Sequence, residues 1–161
     1  MNVSASRLER IQPAFVNSVL SALEIMFLQN ASVRKELAYT PRVVNPMELG
    51  CSLLCSNSSH QSCLLFGVHR SELSTLTVSL GKTDFMLDAL GELANVTAGF
   101  LLDHETYIDC FGFMEQSTPL FVAGGGSCIK KTPGIQGIIH CAGVRLFVGF
   151  AVWETYKKSI Y

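Results

Sequence analysis

Three polar residues in the stretch "DFMLDALGELANVTAGF" (84–100) have the types and spacing to do chemistry: Asp88, Glu92 and Asn95. On a helix, at about 100° per residue, Glu92 lies about 40° to one side of Asp88 and Asn95 about 20° to the other. Asp84, Gly91 and Gly99 fall within about 60° of the same line. Acids, an amide and two glycines thus share one face. The opposite face carries Met86, Leu90, Leu93, Thr97 and Leu101, which are expected to pack on a sheet. A carboxylate can pair with a cation. A carboxamide can donate and accept at once without adding charge, which suits holding a water beside an anion. Solvated helix faces commonly carry such residues, and residue types alone favour that plain reading. The glycines argue against it. Each costs about 1 kcal/mol relative to alanine inside a helix. On an outward face that cost brings nothing to the core, but it lets another backbone approach.

The rest of the chain must position that helix. Its 161 residues fit one domain, read here as 1–161 with an ordered core over about 8–155. A composition 48% hydrophobic and 16% charged can bury a core and excludes a disordered chain. With 12 basic and 13 acidic residues, no basic excess favours nucleic acid or an anionic membrane surface. The start, "MNVSASRLER", has no apolar leader run, and the most apolar stretch, "RLFVGFAVW", is short for a membrane span. A soluble, cytoplasmic protein is expected.

Apolar periodicity predicts a long helix over 8–30, with Pro13 near its start. "TPRVVNP" (40–46), bracketed by prolines, reads as an edge strand. "CSLLCSN" and "QSCLLFGV" read as a hairpin about "SSH". A short helix over 70–81 follows, stopped by Gly81, and then the polar-faced helix over 83–102, with Thr83 as N-cap. "TYIDCFGFM", "PLFVAGGG", "GIQGIIHCAG" and "VRLFVGFAVWE" read as strands, the last two joined at Ala142-Gly143 and apolar on both faces. The order implies an α+β fold, a mostly antiparallel sheet packed against two long helices.

Other signals are weaker. None of the six cysteines forms a C-x-x-C pair, and their apolar settings suit reduced core residues. His60-x-x-Cys63, with Cys51 and Cys55 upstream, lacks a second clean ligand pair, so no metal site is expected. "AGGGSC" (123–128) lacks the phosphate-loop pattern and reads as a turn. His140, in "GIIHCAG", reads as a packed histidine.

Asp88-x-x-x-Glu92-x-x-Asn95, followed by Pro119 with 23 residues (Val96 to Thr118) between, resembles the signature of the CheC/CheX/FliY family of chemotaxis phosphatases. "LGELANVTAG" looks like the CheX helix and "STPLFVAGG" like the strand after it. The first long helix holds no Glu-x-x-Asn, since Phe27 stands three residues after Glu24, so the resemblance is to CheX, with one site per chain. The segment "CSLLCSNSSHQSCLLFGV" departs from the family in lacking a glycine-rich turn. The resemblance implies a CheX/CheC-like fold and a homodimer. It implies hydrolysis of the aspartyl phosphate of a CheY-like response regulator. Asn95 would orient the attacking water, Glu92 would meet the partner's lysine, and Asp88, Gly91 and Gly99 would contact the partner. No cofactor or metal is expected in this chain; Mg²⁺ is expected in the regulator. The alternative is a non-catalytic docking or assembly module that binds a regulator or a motility component.

Overall fold

The computed structural model describes residues 3–27, 35–79, 86–123, 132–141 and 143–155. In chain order these form α1 (Ala5–Phe27), β1 (Lys35–Thr40), β2 (Leu49–Ser56), β3 (His60–Val68), α2 (Arg70–Ser79), α3 (Met86–Leu102) and α4 (Glu105–Phe111). Then come β4 (Glu115–Gln116), β5 (Leu120–Ala123), β6 (Gly134–Cys141) and β7 (Val144–Glu154). The strands make one antiparallel sheet in the order β1-β6-β7-β3-β2-β4, with β5 also on the outer edge of β2. The expected α+β architecture, with two long helices on a sheet, is what the chain adopts.

Side chains alternate across the central strands, and both faces are covered. On one face Leu64, Phe66 and Val68 of β3 and Leu146, Val148 and Phe150 of β7 join Phe15 and Val19 of α1 and Leu90 and Leu93 of α3. The Phe15 and Phe150 rings lie 5.5 Å apart, and Tyr107 of α4 stands edge-on to Phe150 at 6.2 Å. The other face gathers Cys63, Leu65, Phe147 and Ala151 under Val43 and Met47. Val43 seats there because residue 149 is glycine: a Cβ on it would lie 2.6 Å from Val43 Cγ1. No described helix is long and apolar enough to cross a membrane.

Several elements differ from the sequence reading. Helix α1 starts at Ala5, so Pro13 sits in its interior, at a cost of about 3 kcal/mol. Deep burial of Leu8, Ile11, Phe15 and Leu23 outweighs that cost. Residues 41–46 are not a strand. The edge strand is β1, just before them, and Asn45 folds the loop by donating to Leu49 O and accepting from Met47 N. The expected hairpin forms without a glycine turn. Asn57 Oδ1 takes the N–H groups of Ser59 and His60, each at 2.8 Å. "TYIDCFGFM" is mostly helix, not strand. His104 Nδ1 caps α4 by accepting from Thr106 N, Tyr107, Cys110 and Phe111 bury at helical spacing, and Gly112 (φ 77°) ends it. His140 is exposed on β6, opposite Arg145, and is not packed. Thr83, Asp84, Gly81, Ala142 and the 124–128 part of the glycine run lie outside the described residues.

Candidate functional site

Helix α3 is fixed by one face. Leu90, Leu93, Ala94, Thr97, Ala98 and Leu101 recur at helical spacing and are at most 1% exposed, against α1 and the sheet. That burial turns the other face outward. Asp88 and Gly99 are exposed, and Glu92 and Asn95 are half-buried between them. Four of the five residues singled out from sequence therefore share one open strip.

Gly91 is the exception. It is buried: a Cβ there would lie 2.8 Å from Phe121 Cζ and 3.6 Å from Pro119 Cβ. What it admits is side chains of its own chain, Phe121 and Pro119. Gly99 differs: beyond its own helix backbone, no atom of the described residues lies within 4 Å of where a Cβ would stand.

The segment that meets Gly91 is a strap running from α4 to β5 along the edge of β2. Asn57 Nδ2 donates to the carbonyls of Phe111 and Phe113, at 2.9 and 3.0 Å. Glu115 and Gln116 pair with Ser56 and Cys55. Ser117 N donates to Leu54 O at 2.8 Å, and Ser117 Oγ accepts from Leu54 N at 3.2 Å. Phe121 pairs with Cys51, whose side chain faces the helices, so its ring lies on α3. Pro119, far along the sequence from Gly91, thus arrives one residue from Glu92. Gln116 Nε2 lies 3.5 Å from Asn95 Oδ1. Phe121 gives the strip an apolar margin, 41% exposed with its ring on α3, whereas Leu120 and Val122, paired with Ser52 and Gly50, turn to the other face of the sheet. Sequence reasoning missed Gln116 and Phe121. Only the strand pairing that lays the strap on β2 brings them to α3.

The strip presents two carboxylates, an amide and polar backbone. Among the described residues no three His, Cys, Asp or Glu side chains converge as metal ligands. The central cysteines are core thiols. Cys51 and Cys55 face the helices and Cys63 the opposite side of the sheet. Burial pushes their thiols up to about 12, 11 and 12, respectively, far from a reactive thiolate at neutral pH.

The fold recurs in solved chemotaxis proteins. A candidate chemotaxis protein from Desulfovibrio vulgaris Hildenborough aligns with a TM-score of 0.74 at 14% identity, over 89% of this chain and 96% of that one. CheX from Desulfovibrio desulfuricans gives 0.70 at 16% identity, over 90% and 99%. CheX from Borrelia burgdorferi, solved in a CheX–CheY–BeF3–Mg²⁺ complex, gives 0.62 at 15% identity, over 90% and 98%. No protein-family model matches this chain, and no curated protein sequence does. The chain has the CheX/CheC-type fold.

Proposed function

We propose that the chain is a phosphatase for the aspartyl phosphate of a CheY-like response regulator, with the outward strip of α3 as its active site. The observation that carries the reading is that Glu92 and Asn95 sit together on an open helix face with Pro119 folded back beside them, in a fold shared with a CheX that was solved bound to CheY.

An acyl phosphate is already reactive, so the chain need supply mainly position. In the regulator, Mg²⁺ would neutralise the phosphoryl oxygens. Asn95 Oδ1 accepts a hydrogen bond from a water and sets its oxygen in line with the phosphorus. The water oxygen bonds to phosphorus as the bond to the aspartyl oxygen breaks. The regulator's carboxylate leaves with the electron pair, and the water's protons pass to phosphate and solvent. An amide does this without adding negative charge beside the anion. Glu92 pairs with the regulator's active-site lysine, docks the helix and draws the lysine from the phosphate. Asp88 and Gly99 lie at the rim and contact the partner. Gly91 acts indirectly by seating the strap. The chain contributes no nucleophile, metal or cofactor, and it works as a homodimer in the cytoplasm.

The test is binding and turnover together. Calorimetry with a CheY-type regulator carrying BeF3 and Mg²⁺ should show complex formation that Glu92→Ala weakens at least tenfold. The Asn95→Ala variant should bind nearly normally and fail to speed dephosphorylation. Binding without any acceleration by the wild type would favour the docking-module reading.

A further inference from the structure

We infer that Gln116 is a positioning residue for Asn95: its side-chain amide donates to the Asn95 carbonyl oxygen and fixes which end of that amide meets the attacking water. The inference rests on the role given to Asn95 above.

Gln116 is on the surface, yet its backbone is held on both sides. Glu115 and Gln116 pair with β2, and Ser117 bonds Leu54 twice, through its amide and its hydroxyl. Just upstream, the Met114 sulfur is held by the Tyr107 hydroxyl at 3.1 Å. An exposed side chain on so firm a base can serve its neighbour on α3, and its Nε2 is 3.5 Å from Asn95 Oδ1. That separation is long for a hydrogen bond. Such contacts in free enzymes commonly tighten when the partner binds.

The placement gives the direction. As the two amides lie, the Gln116 nitrogen, which has only protons to offer, meets the oxygen end of the Asn95 amide. A carbonyl oxygen has two lone pairs. With one turned to Gln116, the other can accept from the water. Without Gln116 the last torsion of Asn95 is broad and two-fold. The amide would then spend much of its time with N–H groups toward the water, and these cannot accept its proton. Loss of one hydrogen bond of ordinary strength corresponds to about a three- to tenfold lower rate at saturation.

The test measures the decay of a CheY-type regulator phosphorylated with acetyl phosphate and Mg²⁺, across a range of chain concentrations. Gln116→Met keeps length and removes the donor; Gln116→Glu keeps shape and offers only acceptors at neutral pH. Both should lower the saturating rate about three- to tenfold, with the half-saturating concentration changed less than about twofold and the unfolding midpoint unchanged. In an Asn95→Ala background, Gln116→Met should change nothing further. A wild-type saturating rate in Gln116→Met, or a change confined to half-saturation, would overturn this inference while leaving the phosphatase reading intact. A wild-type chain with no effect on decay would overturn both.

Discussion

The two glycines of α3 look alike in sequence, and the structure gives them opposite expectations. At Gly99 an added methyl meets no atom of the described residues within 4 Å, its own helix backbone aside. Gly99→Ala should keep the helix-propensity gain and stabilise the protein by about 0.5–1 kcal/mol. At Gly91 the same gain is offset, because a Cβ 2.8 Å from Phe121 Cζ makes the ring shift away from the helix. A fully buried phenylalanine contributes about 1.5–3 kcal/mol. Phe121 is already 41% exposed, so displacing it forfeits about half of that amount. Gly91→Ala should therefore be neutral, or destabilising by up to about 1 kcal/mol, a gap of about 1–1.5 kcal/mol from Gly99→Ala. In a Phe121→Ala background the obstacle is gone, and Gly91→Ala should stabilise like Gly99→Ala. Urea titrations followed by Trp153, the single tryptophan, would measure all four terms. Equal stabilisation by the two alanines in the wild-type background, with no coupling to Phe121, would refute the strap-on-helix packing.

Other expectations follow from buried polar and thiol groups. Tyr107→Phe removes a 2.7 Å bond to Ser62 Oγ inside the core, so a loss of about 1–3 kcal/mol is expected in the same titration. Alkylation mapped by mass spectrometry at pH 8 should leave Cys51, Cys55 and Cys63 unmodified in the folded protein and label them after denaturation. Burial holds these thiols above the ordinary value of 9.0, at about 11 to 12, so the unfolded chain loses their protons first. Their contribution to stability is intact below pH 9.0 and should fall as pH rises from there toward 12. A urea midpoint that did not fall between pH 9 and 11 would contradict it.

Much of the arrangement was legible in the residues because period and burial agree. Leu90, Leu93, Thr97 and Leu101 mark the inner face of α3 by spacing alone, and that fixes Asp88, Glu92, Asn95 and Gly99 outside. The β2–β3 hairpin was legible for the same reason. What was not legible depends on tertiary partners. Gly91 lies about 60° from the centre of the polar face, and only β5 pairing with β2 decides that Phe121 covers it. The strand expected over 106–114 gives way to a helix capped at His104 and stopped at Gly112, with Tyr107, Cys110 and Phe111 buried at helical spacing. Gln116 carried no signal, since its meaning depends on a strap whose register Ser117 and Asn57 set.

The measurement closest to the central claim is the decay of an acetyl-phosphate-charged CheY-type regulator in Mg²⁺, alone, with the wild-type chain and with the Asn95→Ala chain. The account expects the wild type to accelerate decay and Asn95→Ala, still folded and still bound, to leave it at the regulator's own rate. Undiminished acceleration by Asn95→Ala would contradict it.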